Sequence, residues 1–229
     1  MDKTQLLSNT KGMIDRLKSC LGDAGLSNSS SEYQIITETF LFKFLHDKFL
    51  HDLAEKSNIP VGETPENYYL AMDGKTRAKT MLKLPNTATI RPEWMISQLF
   101  NHKTEEGFSE ILDEAMVGVA EDNADIFSVH AGDGTNIQLF CGISHHVTEV
   151  AKKDPFAESI IEALASFSFE EAFAQKYDFF ADVFEYLISD YNKDSGEYGE
   201  YFTPHSIAAI IARILVPKGD TNVTVYDPA

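Results

Sequence analysis

Apolar residues recur along the first 55 positions at helical intervals, not at the alternation of a strand. Leu6, Leu7, Met13, Ile14, Leu17 and Leu21 predict a helix over 4–21, with Gly22 as its stop. A polar run, 27–31, follows, and Ser29 with Glu32 three residues on has capping-box form. From Glu32 to about Glu55, one stripe holds Tyr33, Ile36, Phe40 and Phe44, and a neighbouring stripe holds Leu41, Leu45 and Phe49. Apolar residues that far round a helix predict burial on more than one side. His46 and His51 lie five apart and share no face well, so they read as surface or core-edge histidines and not as metal ligands.

Pro60, Gly62 and Pro65 break the pattern, and 66–91 is mixed. Trp94 to Phe100 predicts a helix with Pro92 near its first turn, and 106–120 a further helix. Ala131, Gly132, Asp133 and Gly134 form a turn signal between extended pieces at 127–130 and 136–141, which predicts a small hairpin. Helices are expected over 157–166 and 173–191; in the second, Tyr177, Phe180, Phe184, Leu187 and Tyr191 recur every three or four residues. After a loop at 192–199, Thr203 caps a helix whose first position is Pro204 and which runs through Ile207, Ile210, Ile211, Ile214 and Leu215 to Pro217. Val223 to Tyr226 predicts a buried strand that delivers the turn Asp227, Pro228. The expected fold is mainly α. An N-terminal helical domain over 1–170 is followed, over 171–229, by the truncated start of an α/β Rossmann-like domain.

Composition narrows the class. An apolar content of 43% with 16 Phe in 229 residues supports a packed core. No run of 18 apolar residues and no signal-peptide core occur. Cys20 and Cys141 are the only cysteines and have no metal or disulfide spacing, which points to a reducing, cytoplasmic setting. The formal charge of −17 argues against a chain that grips nucleic acid over its whole surface. Charge is uneven, however. From Asp154 to Glu200 there are 12 acidic residues against Lys176 and Lys193. That run reads as a solvated helix face or, more sharply, as a face that docks a basic partner. From Ala71 to Arg91 the bases Lys75, Arg77, Lys79, Lys83 and Arg91 stand against Asp73 alone. This stretch reads as an exposed loop or helix end, with phosphate contact as the functional alternative; Lys75, Arg77, Lys79 and Lys83 are the candidate nucleic-acid residues.

The richest chemistry lies in Glu200, Tyr201, Phe202, Thr203, Pro204 and His205, a glycine-preceded loop leading into a helix N-terminus. Free backbone N–H groups there can meet an anion, and the aromatic faces suit a purine ring. A capped helix with aromatic core anchors is the plain structural alternative. Asp227, at the carboxyl end of a strand, would lie at the usual ligand crevice of an open α/β sheet. Asp154, Pro155 and Phe156 read as a helix start and not as a catalytic loop. No HExxH, GxSxG, P-loop or GxGxxG sequence occurs.

Taken together, the aromatic helix from Tyr177 to Ser189, the segment from Gly199 to Pro204, the apolar helix to Pro217 and the terminal Val225 to Ala229 resemble the modification subunits of type I restriction–modification systems, which are DNA adenine methyltransferases. Phe40 to Leu45 is similar to that family's N-terminal helical domain. The resemblance implies S-adenosylmethionine as cofactor, held by Glu200, Tyr201, Phe202, Thr203, Pro204 and His205 and by Asp227, Pro228 and Ala229. It also implies transfer of a methyl group to an adenine flipped from the duplex. His205 stands where the family often has Arg. The implied partners are a specificity subunit, a restriction subunit and duplex DNA reached through the complex, with no membrane. The family's glycine loop and its Asn/Asp-Pro-Pro-Tyr/Phe catalytic loop have no counterpart in the 229 residues. No catalytic residue is therefore assigned, and the chain alone is expected to be inactive and to serve in assembly and DNA binding. The alternatives are a non-catalytic helical interaction module and a stand-alone restriction–methylase fusion. The resemblance further implies that Phe202 and Asp227 form two walls of one adenosine pocket.

Overall fold

The computed structural model describes residues 3–27, 29, 31–85, 87–127, 129–130, 136–137, 140–174, 183, 185–188, 203, 205–216 and 223–224. The chain divides into two compact units, Met1–Lys176 and Tyr177–Ala229. The first unit is built from α1 (Lys3–Ala24), α2 (Glu32–Lys56), α3 (Pro65–Leu70), α4 (Gly74–Met81), α5 (Ile96–His102), α6 (Phe108–Asp122), α7 (Ala124–Phe127), α8 (Val150–Ala165) and α9 (Glu170–Ala174). Single 3-10 turns lie at Pro92–Trp94 and Ser144–His146. The expected hairpin is present: β1 (Val129–His130) pairs antiparallel with β2 (Asn136–Ile137), Val129 opposite Ile137.

Two long helices set the core. α1 packs along α8, and α8 also takes α5 and α6. Of the two stripes of α2, Ile36, Phe40 and Phe49 are fully buried and Leu45 nearly so, while Tyr33, Leu41 and Phe44 are partly exposed; Ile35, Phe42 and Leu53, outside both stripes, are fully buried as well. α1 does not stop at Gly22. It runs to Ala24, and Gly25 takes the left-handed conformation at φ 83°. Gly25 N–H then bonds Gly22 O at 3.0 Å and Leu26 N–H bonds Leu21 O at 2.8 Å, a Schellman stop that needs the glycine three residues later than expected. The Ser29–Glu32 capping box is also absent. Glu32 is itself the first helical residue, and Ser29 Oγ lies 3.1 Å from Ser31 Oγ.

α8 begins at Val150, so Asp154 and Pro155 lie inside it and do not start it. The Asp154 carboxylate turns to a neighbouring helix instead. It accepts from Gly107 N at 2.8 Å, Ser109 N at 2.9 Å and Ser109 Oγ at 2.6 Å, and so caps α6. These bonds, the Ser109 hydroxyl first, hold its carboxyl below the usual carboxylate range against a small desolvation effect.

His46 corrects the expectation of a surface or core-edge residue, because it is 4% exposed. Its Nδ1 meets Asp47 Oδ1 at 2.9 Å and its Nε2 accepts from Ile96 N at 3.3 Å. The same Asp47 Oδ1 takes Lys43 Nζ at 2.8 Å, and Oδ2 takes Phe169 N at 2.8 Å. A buried polar node thus ties α2 to the start of α5 and to the residue preceding α9. Phe40, Phe44 and Phe167 meet Phe169 edge-on around it, with centroids 4.7–5.7 Å apart.

In the second unit, 183 and 185–188 are helical, and the helix expected from Pro204 begins one residue later, as α10 (His205–Leu215). Ile207, Ile210, Ile211, Ile214 and Leu215 on α10 are exposed. Val223 and Thr224, the first half of the expected terminal strand, are not in a strand. A strand exists only through a paired neighbour, and the described residues of this unit offer none. The chain is mainly helical; a Rossmann-like sheet is not among its described elements.

Candidate nucleic-acid and cofactor site

The basic stretch is an ordered helix, not a loop. Thr64 caps α3, accepting from Asn67 N at 3.2 Å, with Pro65 at the first helical position. Tyr69 on α3 is 1% exposed; its hydroxyl donates to Ile90 O at 2.8 Å and its ring meets Phe49 of α2 edge-on at 4.9 Å. Burial first, then Glu93, pushes the Tyr69 phenol up to about 12, against the opposing pull of Arg77. α4 starts at a second cap: Asp73 Oδ1 accepts from Lys75 N at 2.9 Å and Thr76 N at 3.0 Å, and Oδ2 from Thr76 Oγ1 at 2.8 Å.

This scaffold presents Lys75 and Lys79 one turn apart on α4, with Lys83 just beyond its end; all three are exposed. Like charges at that spacing repel. Among the described residues no carboxylate pairs with any of the three, whereas Lys43, Lys48, Lys103 and Lys152 each pair with an acid. Arg77 behaves differently. It is half-buried, its Nη2 donates to Met72 O at 2.9 Å, and its guanidinium lies 5.1 Å from the Tyr69 ring centroid. Arg91 forms a bidentate pair with Asp122 at 2.6 and 2.7 Å and stacks 4.2 Å from the Trp94 ring. Arg77 and Arg91 line one open cleft of about 330 Å³ with Tyr69, Thr89 and Glu93. Sequence reasoning placed Lys75, Arg77, Lys79 and Lys83 in one group. The structure separates the braced Arg77 from the three free lysines and adds Arg91 beside it. The missed signals were the Thr64–Pro65 and Asp73–Thr76 cap patterns.

The acidic stretch is partly spent within its own unit. Glu158 and Glu162 both pair with Lys103, and Glu170 Oε1 lies 2.9 Å from His51 Nδ1. His51, Asp52 and Glu55 bring donor atoms within 4.8 Å of one another. Asp52 is engaged by Lys48 and by Thr87 Oγ1 at 2.6 Å, and His51 by Glu170, so these groups already have protein partners.

Of the candidate cofactor residues, Thr203 is described and exposed, and His205 opens α10. Glu200, Tyr201, Phe202, Pro204, Asp227, Pro228 and Ala229 lie outside the described residues, as does the expected pairing of Phe202 with Asp227.

Comparison with known proteins bears on this same C-terminal stretch. Residues 175–229 match the model of the N-6 DNA methylase family. The C-terminal stretch is thus similar to an N-6 DNA methylase segment. It is also 32% identical over 111 residues to the type I restriction enzyme MpnII methylase subunit of Mycoplasma pneumoniae, covering 44% of this chain and 20% of that protein. The chain therefore spans about a fifth of the length of this curated relative. No solved structure matches it. Both matches are to DNA methylases, one of them a type I methylase subunit, and the span matched by the family model begins close to the end of the first compact unit.

Proposed function

We propose that the chain is the N-terminal part of a type I DNA methyltransferase subunit, which moves a methyl group from S-adenosylmethionine to adenine in DNA. The match of 175–229 to the N-6 DNA methylase family carries this reading. In it, 1–170 is a helical domain for assembly and DNA contact, and 171–229 begins the methyltransferase domain. Bound S-adenosylmethionine would supply the methyl group. Residues 200–205 and 227–229 would hold the nucleoside end, with the N-terminus of α10 beside it. The exposed apolar face of α10 supports an α/β start, because a helix of that kind is built to be covered by a sheet. Neither the Asn/Asp-Pro-Pro-Tyr/Phe loop nor the glycine loop occurs in these residues, so the chain by itself is expected to transfer no methyl group.

The partners proposed are a specificity subunit, a restriction subunit and duplex DNA, in the cytoplasm. Recognition of sequence by a separate subunit fits a chain whose densest basic run, Lys75, Lys79 and Lys83, lies on and just beyond one short helix. Co-expression with a type I specificity subunit from the same source tests this directly. A stable complex that recovers tritiated-methyl transfer on duplex DNA when the remaining methylase sequence is supplied supports the reading. Retrieval of the chain free of the specificity subunit, with no methyl transfer in the complete assembly, refutes it. Complex formation without any dependence on residues 175–229 would favour the alternative, a non-catalytic helical interaction module.

A further inference from the structure

We propose that the cleft between α4 and the Arg91–Trp94 turn seats a phosphate of the nucleic-acid backbone, gripped by Arg77 and Arg91 and flanked by Lys75 and Lys79. The inference rests on the nucleic-acid reading above and adds to it a defined seat, a pair of arginines and a mode of recognition.

Three observations converge on it. First, both guanidiniums are pre-positioned and only partly used. Arg77 is fixed by Met72 O and the Tyr69 ring, and Arg91 by both oxygens of Asp122 and the Trp94 ring. A braced arginine loses little freedom when it takes a ligand. Asp122 uses Nε and Nη2 of Arg91, which leaves Nη1. Arg77 keeps Nη1, and its Nε–H is buried with no acceptor. An unmet buried donor carries a desolvation cost that an arriving acceptor would relieve. Second, the two arginines share one open cleft of about 330 Å³, with room for a phosphate group and its adjoining sugar. Third, the flanking Lys75, Lys79 and Lys83 have no carboxylate partner among the described residues, in a chain with 36 acidic and 19 basic residues. In so acidic a molecule a local row of unpaired cations gives an incoming polyanion one place to land. Glu93 also lines the cleft, so an anion would sit on its Arg77 side.

The contacts this seat offers a phosphate are charge and N–H groups. The seat therefore binds backbone without regard to sequence. Binding of a fluorescein-labelled 20-base-pair duplex to the whole chain, followed by anisotropy at several salt concentrations, tests it. Wild-type affinity should fall steeply with salt and be equal for unrelated sequences. Arg77→Ala should weaken binding about tenfold and lower the log–log salt slope by about one. Arg77→Lys, which keeps the charge, should recover part of the affinity but not all of it. A melting curve for each variant separates a lost contact from a lost fold, and Lys56→Ala, outside the strip, should change nothing.

Unchanged binding by folded Arg77→Ala and Arg91→Ala, with loss on Lys75→Ala/Lys79→Ala/Lys83→Ala, would overturn the seat and leave the nucleic-acid reading standing. If the wild type ignores duplex at low salt while inorganic phosphate shifts the Arg77 Nε–H resonance, the seat takes free phosphate and the backbone assignment falls. If neither ligand binds, both the seat and the nucleic-acid role of α4 are refuted, while the methylase reading of 175–229 is untouched.

Discussion

Replacing Asp47 by Asn should unfold much of what holds the first unit together. The residue is 7% exposed, and its carboxylate accepts three hydrogen bonds, from Lys43 Nζ, His46 Nδ1 and Phe169 N. Asn preserves the shape but offers one acceptor oxygen and an NH₂. If the oxygen faces Lys43 and His46, the NH₂ meets Phe169 N–H donor to donor. If it faces Phe169, two donors of the node are orphaned. In either orientation the buried Lys43 charge loses its counter-charge. Breaking a buried pair in this way costs about 3–5 kcal/mol, against a total stability of roughly 5–15 kcal/mol. The melting temperature should drop by about 6–20 °C for a unit of this size.

Urea unfolding followed by far-UV circular dichroism measures the loss, and amide exchange locates it. Exchange should rise first around Phe169 and through α9, whose leading amide Asp47 holds. The pair also makes a cycle. Lys43→Met removes the orphaned charge, so the double variant should be more stable than Asp47→Asn alone. The pH dependence has a definite sign. Burial pushes the Asp47 carboxyl up, but the His46 hydrogen bond and the Lys43 charge outweigh it and hold it low. A group depressed in the folded state contributes its stability above its unfolded pKa and loses it as pH falls through the folded one. The wild-type advantage over Asp47→Asn should therefore shrink on acidification. A cost below about 1 kcal/mol, or strict additivity with Lys43→Met, would refute the node as the clasp of α2, α5 and α9.

Other expectations follow from the same packing. A Cβ at position 118 would lie 2.2 Å from the Trp94 ring, so Gly118→Ala should cost about 1–3 kcal/mol in urea unfolding; an unchanged midpoint would mean Trp94 does not pack on α6. Asp154→Asn should weaken the cap of α6 by about 0.5–2 kcal/mol. The difference from wild type should fade as pH drops through the depressed carboxyl pKa; equal stability at neutral pH would contradict the cap. Tyr69, raised to about 12, stabilises the fold below its unfolded pKa and loses that contribution as pH climbs toward 12. Tyr69→Phe should therefore cost about 1 kcal/mol near neutrality through the lost bond to Ile90 O, read by thermal melting. A phenolate absorbance titration showing Tyr69 ionised well below pH 11 in the folded chain would oppose that.

How far the sequence discloses this molecule depends on how much of each signal is local. α2 was legible because its apolar residues occupy two stripes, and no other element explains so many aromatics in 25 residues. α3 and α4 were not, because they are short and polar and carry no stripe. Their existence rests on caps at Thr64 and Asp73 and on one buried anchor, Tyr69, whose partner Ile90 is 21 residues away. His46 was misread for a related reason. A histidine flanked by Asp47 and Asp52 looks solvated in one dimension, and only the arrival of Ile96 and Phe169 from distant segments turns that patch into an interior node. Pro155 was read as a helix start because proline favours the first turn, yet α8 already has five residues before it. Its neighbour Asp154 serves a helix 45 residues earlier, a use that no local pattern encodes.

The functional reading has the opposite character. The family resemblance came from short motifs in 173–229 and from the helix around Phe40 to Leu45, and the family model matches 175–229, nearly the first of these spans. Those motifs are legible because residue types at fixed spacing can be matched along the chain without knowing how it packs. The basic strip lies between these cases. Its charges are visible in the sequence, but the division between free lysines and braced arginines depends on Tyr69, Trp94 and Asp122, which are brought in by tertiary structure. Charge composition can nominate such a surface. Only the rings and carboxylates around each guanidinium show which cations are braced in place and which are loose on the surface.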